Sequence, residues 1–158
     1  MSQVQPIPAG YHSVTPYLII KNAAEALEFY KRAFGATEKL RLEGPGGTIM
    51  HAEVMIGDSH VMLGEQNEDM GFLGPKAIGG TPVSLLIYVE NVDQLFAQAV
   101  KAGAKELQPV TDQFYGDRSG RIEDPFGHLW SIATHIEDLT QEEIDRRFAD
   151  IMQQGAES

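Results

Sequence analysis

Two residues at strand spacing, His51 and Glu53 in "TIMHAEVMIGDSHVMLGEQ", carry the most suggestive chemistry of the chain. Side chains alternate between the two faces of a strand, so His51, Glu53 and Met55 share one side. An imidazole oriented by a carboxylate is a general base whose charge state changes near neutral pH. The same pair also fits a half-exposed strand face with a hydrogen bond across it, and the residues alone allow either. A metal centre built on the pair would need at least one more donor. His12, His60 and His128 qualify by type, although His60 and His128 sit beside turns.

A second polar group is the glycine-flanked stretch "FYGDRSG", Phe114 to Gly120. Arg118 can fork onto a ligand carboxylate or phosphate, or pair with Asp117 or Asp124 and pin the loop. Tyr115 is a candidate for a pocket mouth, because an aromatic on a loop needs a reason to be there. Motifs for nucleotide binding, serine hydrolysis and zincin chemistry are absent: there is no P-loop, no G-x-G-x-x-G, no G-x-S-x-G and no H-E-x-x-H.

These groups must be held by elements that the sequence writes twice. "VTPYLIIKNAAEALEFYKRAFGATEKL" and "VSLLIYVENVDQLFAQAVKAGAKEL" share an apolar run, an Asn, an amphipathic run and Gly-Ala. The repeat distance is about 69 residues, which marks an internal duplication. In the first copy Thr15 to Ile20 is a strand, Asn22 with Glu25 starts a helix, and Gly35 ends it. In the second, Leu85 to Val89 is the strand, Asn91 with Gln94 repeats the cap, and Gly103 terminates.

Each helix is followed by three strands. After the first come Thr37 to Leu42 and a hairpin turning at Gly57-Asp58; after the second come Lys105 to Val110, Arg121 to Glu123 and Leu129 to Thr134. The expected fold is therefore α+β, with two βαβββ modules forming curved mixed sheets around a cavity, plus a C-terminal helix. Residues 1–12 form an N-terminal arm and 13–137 one domain of two modules, about 13–67 and 82–137. Residues 138–158 form a C-terminal helix, capped by Thr140 with Glu143, and a tail. The Gly- and Pro-rich "NEDMGFLGPKAIGGTP" is expected to be a linker or lid. Its length would also permit exchange of modules between chains.

Composition narrows the partners. With 158 residues, 42% hydrophobic and 22% charged, the chain has an ordinary globular make-up and no apolar run long enough for a membrane span. A formal charge of −11 argues against nucleic acid, whose binding depends on Lys and Arg releasing counterions. Without cysteine there is no disulfide or thiolate site, and "MSQVQPIPAG" has no secretory pattern, so a cytoplasmic address is expected. Eight short strands in two modules leave sheet edges and an open face, so a homodimer is expected.

The paired modules, the "LEFYKRAFGA" helix and the closing "EDPFGHLWSI" together resemble the vicinal oxygen chelate superfamily of glyoxalases, extradiol dioxygenases and bleomycin-resistance proteins. "MHAEVMIGDSHVML" and "YGDRSGRIEDPFGHLWS" look most like its PhnB-like branch. The resemblance spans about Ser13 to His135. It implies that metal-dependent members place their four ligands at positions held here by Thr15, Ser84 and Ser131, with the remaining one near Leu63. None is a His or carboxylate, so no metal and no cofactor are expected.

By strand alternation Thr15, Tyr17 and Ile19, and in the repeat Ser84, Leu86 and Tyr88, should line the concave pocket, away from the helices. Trp130, opposite in phase to Ser131, belongs to the core. The implied function is binding of a small organic ligand, with Thr15, Tyr17, Met55, Leu63, Ser84, Leu86, Tyr88, Tyr115 and Ser131 shaping the site. His51 and Arg118 would supply its polarity. The alternatives are a metal-dependent lyase, isomerase or dioxygenase, with His51 as base or ligand, Glu53 beside it and a metal held by atypical donors, and sequestration of a toxic compound.

Overall fold

In the computed structural model, which describes residues 3–157, the duplicated sequence folds into two four-stranded mixed sheets. The first is built from β1 (Tyr17–Ile20), β2 (Thr37–Glu43), β3 (Ile49–Ile56) and β4 (Ser59–Glu65), in the order β1-β4-β3-β2. The second uses β5 (Ser84–Tyr88), β6 (Lys105–Asp112), β7 (Asp117–Glu123) and β8 (Leu129–His135), in the order β5-β8-β7-β6. In each sheet the first strand pairs in parallel with the last and the other neighbours are antiparallel. The crossover helices are α1 (Ala23–Phe34) and, in the second module, α3 (Val92–Ala102). With α4 (Gln141–Ala156) at the C-terminus, the fold is α+β as expected.

Pleat alternation decides which face each helix covers. On the first sheet Leu18, Ile20, Ala52, Val54, Val61 and Leu63 are buried beneath α1; on the second, Ile122, Trp130 and Ile132 are buried. The two helices then pack on each other, and the Gln98 side chain donates to the Arg32 and Ala33 carbonyls at the end of α1. The opposite face of each sheet stays open. Leu40 and Leu42 on the first, and Leu86 and Tyr88 on the second, are exposed there.

Three elements differ from the sequence reading. Asn22 has left-handed backbone (φ 70) and its side chain caps nothing. The Glu65 carboxylate at the end of β4 takes that role, accepting from the Asn22 and Ala23 amides at 2.9 and 2.7 Å. The segment between the modules is not plain linker, because it forms a 3-10 turn, Glu68–Met70, and a one-turn helix α2, Pro75–Ile78. Strand β7 starts at Asp117, four residues earlier than its glycines suggested. A Cβ on Gly120 would lie 2.6 Å from the Phe96 ring, so this glycine lets α3 approach the strand instead of making a turn. By contrast Asn91 and Thr140 do cap their helices, accepting from the Gln94 and Glu143 amides.

One buried carboxylate joins the modules. Asp124, 3% exposed, accepts from the Tyr30 hydroxyl of α1 at 2.7 Å, from Trp130 Nε1 at 2.9 Å, and from the Phe126 and His128 amides of its own turn. Burial first, and then the neighbouring carboxylate, hold the Tyr30 phenol well above its ordinary pKa. The five aromatic side chains Phe29, Tyr30, Phe34, Phe126 and Trp130 pack around this centre. His128 Nε2 lies 3.1 Å from the Ile19 carbonyl and ties the same turn back to β1.

Asp124→Ala strands four donors, two of them on large buried side chains, and should cost about 3 kcal/mol or more in urea unfolding. Tyr30→Phe removes one donor and should cost about 1–2 kcal/mol. A loss below about 1 kcal/mol for Asp124→Ala would show that the carboxylate does not hold the modules together.

Candidate functional site

The open face of the first sheet carries a continuous polar chain. His51, Glu53 and Met55 project from β3 on that face, flanked by Tyr17 and Met62 and, across β2, by Leu40 and Leu42. His51 Nε2 lies 3.1 Å from Glu53 Oε1, and His51 Nδ1 lies 3.0 Å from the Tyr17 hydroxyl. An ionised carboxylate only accepts, so Nε2 carries the proton and, in the neutral ring, Nδ1 accepts from Tyr17. The other Glu53 oxygen accepts from the Tyr11 hydroxyl. That bond, opposed by partial burial and helped by His51, keeps the Glu53 carboxyl below its usual range. Tyr11 also stacks on His60, with ring centroids 3.7 Å apart.

Two cavities adjoin this chain. One, of about 640 Å³, is walled largely by Tyr17, Ile19, Met50, Met70 and Phe72, with Glu65 and Gln66 at its edge. Another, of about 590 Å³, lies between the modules, where Thr15 and His60 meet Leu86 and Tyr88 over a floor that includes Trp130.

The second sheet has a separate network on its open face. The Asp117 carboxylate, 5% exposed, accepts from the Tyr88 hydroxyl at 2.7 Å and lies 2.8 Å from His135 Nδ1. His135 Nε2 reaches Asp138 at 2.8 Å. Ser84, Leu86 and Ser131 share this face, with Ser131 paired beside Leu86 and Arg121. Tyr115 stands in the turn before β7, edge-on to Phe114 and 41% exposed.

Two expected site residues lie elsewhere. Leu63 pairs with Leu18 on the helix side and is fully buried in the core, away from the open face; alternation gives that face to Met62 and Gly64. Arg118 is engaged by protein carboxylates, though not by Asp117 or Asp124. Its guanidinium grips Asp93 at the start of α3 through two bonds of 2.9 and 2.8 Å and Asp112 through a third, which pins β7 to the helix. Tyr11, Asp117 and His135 were not singled out as site residues by sequence, and His60 was named only as a metal donor by type. His135 continues the Ser131 and Ala133 alternation and could have been found; Tyr11 lies in the irregular arm, where no periodicity points.

The donor set also tests the metal that the resemblance implies. Thr15, Ser84 and Ser131 offer neutral hydroxyls and Leu63 offers nothing, a poor match to the imidazole and carboxylate donors a divalent cation prefers. Among the described residues no group of three or more His, Asp or Glu is placed to hold a metal. The residues present do not fit that group.

The flanking carboxylates, Asp117 first and Asp138 second, raise the His135 pKa above its ordinary 6.5. The folded value exceeds the unfolded one, so this contribution to stability is complete below about pH 6.5 and is lost as pH rises through the raised value. Proton NMR titration should place the His135 midpoint above 6.5, and Asp117→Asn should bring it down. A wild-type midpoint at or below 6.5 would contradict the geometry.

Residues 10–132 match the model of the Glyoxalase/Bleomycin resistance protein/Dioxygenase superfamily. An uncharacterised protein of Mycobacterium tuberculosis is 38% identical over 135 residues, covering 84% of this chain and 79% of that one. An uncharacterised protein of Arabidopsis thaliana is 26% identical, covering 77% of each. Among solved structures, TioX from Micromonospora sp. ML1 superposes with a TM-score of 0.62 at 29% identity, covering 82% of this chain and all of that one. The fosfomycin resistance protein FosX from Listeria monocytogenes shares the fold, with a TM-score of 0.60 at 18% identity, covering 84% of this chain and 97% of that one. The matched span takes in the first sheet, the second as far as the middle of β8, both crossover helices and the Asp124 turn, and the chain belongs to the glyoxalase/bleomycin resistance protein/dioxygenase superfamily.

Proposed function

We propose that the chain binds a small organic molecule on the open face of its first sheet, without the metal used by metal-dependent members of its superfamily. The observation that carries this is the Tyr17–His51–Glu53 chain beside a largely apolar cavity of about 640 Å³. Apolar walls with a few fixed polar groups are what a small-molecule site requires. The likeness to a PhnB protein from Bacillus cereus, at 18% identity and a TM-score of 0.61, is one of fold. It agrees with a PhnB-like branch.

Binding is favoured over turnover because both ring nitrogens of His51 are already engaged. A free general base would leave one nitrogen facing the substrate. An enzyme is the second reading, favoured by one feature: the half-exposed Tyr17 hydroxyl could pass a proton between a ligand and His51. In that case Tyr17, not His51, touches the substrate. We also propose a homodimer, since apolar side chains on both open sheet faces lack cover in the single chain.

Thermal-shift screening of small organic metabolites and of Zn, Ni, Fe and Mn should find stabilisation by an organic compound and by none of the metals. For that compound His51→Ala should weaken binding about tenfold, the worth of one good hydrogen bond, with little change in melting temperature. Near-stoichiometric metal in wild type, lost in His51→Ala, would put the enzyme reading first. Light scattering at high micromolar concentration should give twice the chain mass, and a monomeric mass there would remove the dimer.

A further inference from the structure

The geometry points to Tyr11 as an internal occupant of an aryl subsite: the N-terminal arm fills, and a hydroxyaryl ligand displaces it from, a slot formed by the His60 ring and the Glu53 carboxylate. This rests on the reading of the first sheet's open face as the ligand site and names its ligand class. The Tyr11 ring lies nearly parallel to His60, at 12°, while its hydroxyl donates to Glu53. A flat ring surface to stack on and an anionic acceptor at the ring's far end are the requirements for holding a phenol. Glu53 cannot donate when ionised, so an aryl ether or a second carboxylate gains nothing there.

The arm is otherwise weakly held. Residues 3–15 contain no helix or strand, and residues 3–10 are exposed. Among the described residues their hydrogen bonds are the Tyr11 hydroxyl to Glu53 and the local Tyr11 amide to the Pro8 carbonyl. The next anchor is the Pro16 carbonyl, which accepts from Met62 as the chain enters the sheet. One side chain therefore fastens the arm over the site. A segment with so few buried contacts opens at low cost compared with the sheets beneath it.

The slot also has somewhere to lead. His60 is shared between the Tyr11 stack and the cavity of about 590 Å³ between the modules. That cavity continues over Ile56, Val61, Leu85 and Ile87. A ligand that places its phenol where Tyr11 lies can extend an apolar substituent along this floor. Among the described residues His60 Nδ1 is buried without a hydrogen-bond partner, which leaves an unused polar atom beside the slot. Because Tyr11 is tethered, it competes with an incoming phenol, so a simple phenol binds the wild type more weakly and a ligand with the added apolar contact displaces the arm more readily.

The test uses p-cresol, which is the tyrosine side chain itself, and 4-methylanisole, which has the same ring but no donor. Calorimetry on the full chain should show Tyr11→Ala binding p-cresol about tenfold more tightly than wild type, as removal of an internal competitor requires. Tyr11→Phe, which keeps the stack and loses the bond, should fall between them, and it carries the comparison should Tyr11→Ala not fold. For Tyr11→Ala, 4-methylanisole should bind about tenfold more weakly than p-cresol, the loss of a charge-assisted hydrogen bond. Equal p-cresol affinity in wild type and both variants overturns the internal occupant while leaving the ligand site intact. Equal affinity for the two probes overturns the hydroxyaryl class. No saturable binding of p-cresol to either variant at millimolar concentration overturns the inference, whereas the broader ligand reading stands or falls on His51-dependent binding in the metabolite screen.

Discussion

The Asp124 carboxylate is the constraint around which the two halves are arranged. A buried carboxylate is tolerable only with its acceptor sites filled, and here the donors come from both modules: Tyr30 from α1, Trp130 from β8 and two amides from the turn itself. Any rotation of α1 relative to the second sheet would leave Tyr30 or Asp124 unsatisfied. The modules therefore dock in one orientation, which apolar contact between α1 and α3 alone would not enforce. Because the same turn sends His128 to the Ile19 carbonyl, the position of β1, and with it Tyr17, follows from this centre.

Most of the fold was legible because its determinants are periodic and local. Ala26, Leu27, Tyr30 and Phe34 repeat at helical spacing and all are buried, while Ala52, Val54 and Ile56 alternate at strand spacing and are buried too. The misreadings come from interactions between segments distant in sequence. Asn22 looked like a cap because its type and spacing were right, yet the first amides of the helix, those of Asn22 itself and of Ala23, are held by Glu65, more than forty residues on. Gly120 resembled turn punctuation and instead answers to the Phe96 ring packed against it. A short motif reports the local backbone preference, and tertiary contact decides whether that preference is used.

The candidate site divides along the same line. Alternation put His51, Glu53 and Tyr17 on the open face they occupy, since a pleated strand leaves each side chain little choice of face. Leu63 failed because its place came from the family resemblance instead of the strand phase, and the phase puts it beside Leu18 in the core. Arg118 was ambiguous for a chemical reason: a guanidinium offers the same fork to a ligand and to a protein carboxylate. Asp93, brought close by the fold, resolves it. Tyr11 was invisible because an arm without secondary structure has no period from which a partner could be inferred.

Duplication makes the contrast between the open faces informative. The helix-covered faces have the same task in both modules, and both fill it with packed apolar side chains. The open faces have no such common demand and have diverged: a Tyr–His–Glu chain on the first, a Tyr–Asp–His–Asp chain on the second. In the first, the histidine lies between a tyrosine and one acid, so a neutral ring already satisfies every partner. In the second, the histidine is flanked by two carboxylates, and only the doubly protonated ring donates to both. The first face thus holds an uncharged imidazole between a phenol and a carboxylate, while the second uses its histidine to tie β8 and the segment leading to α4 together. A scaffold built from two similar halves arrives in this way at one open face whose polar groups satisfy one another across β1 and β3 and one whose polar groups reach the chain's own C-terminal extension.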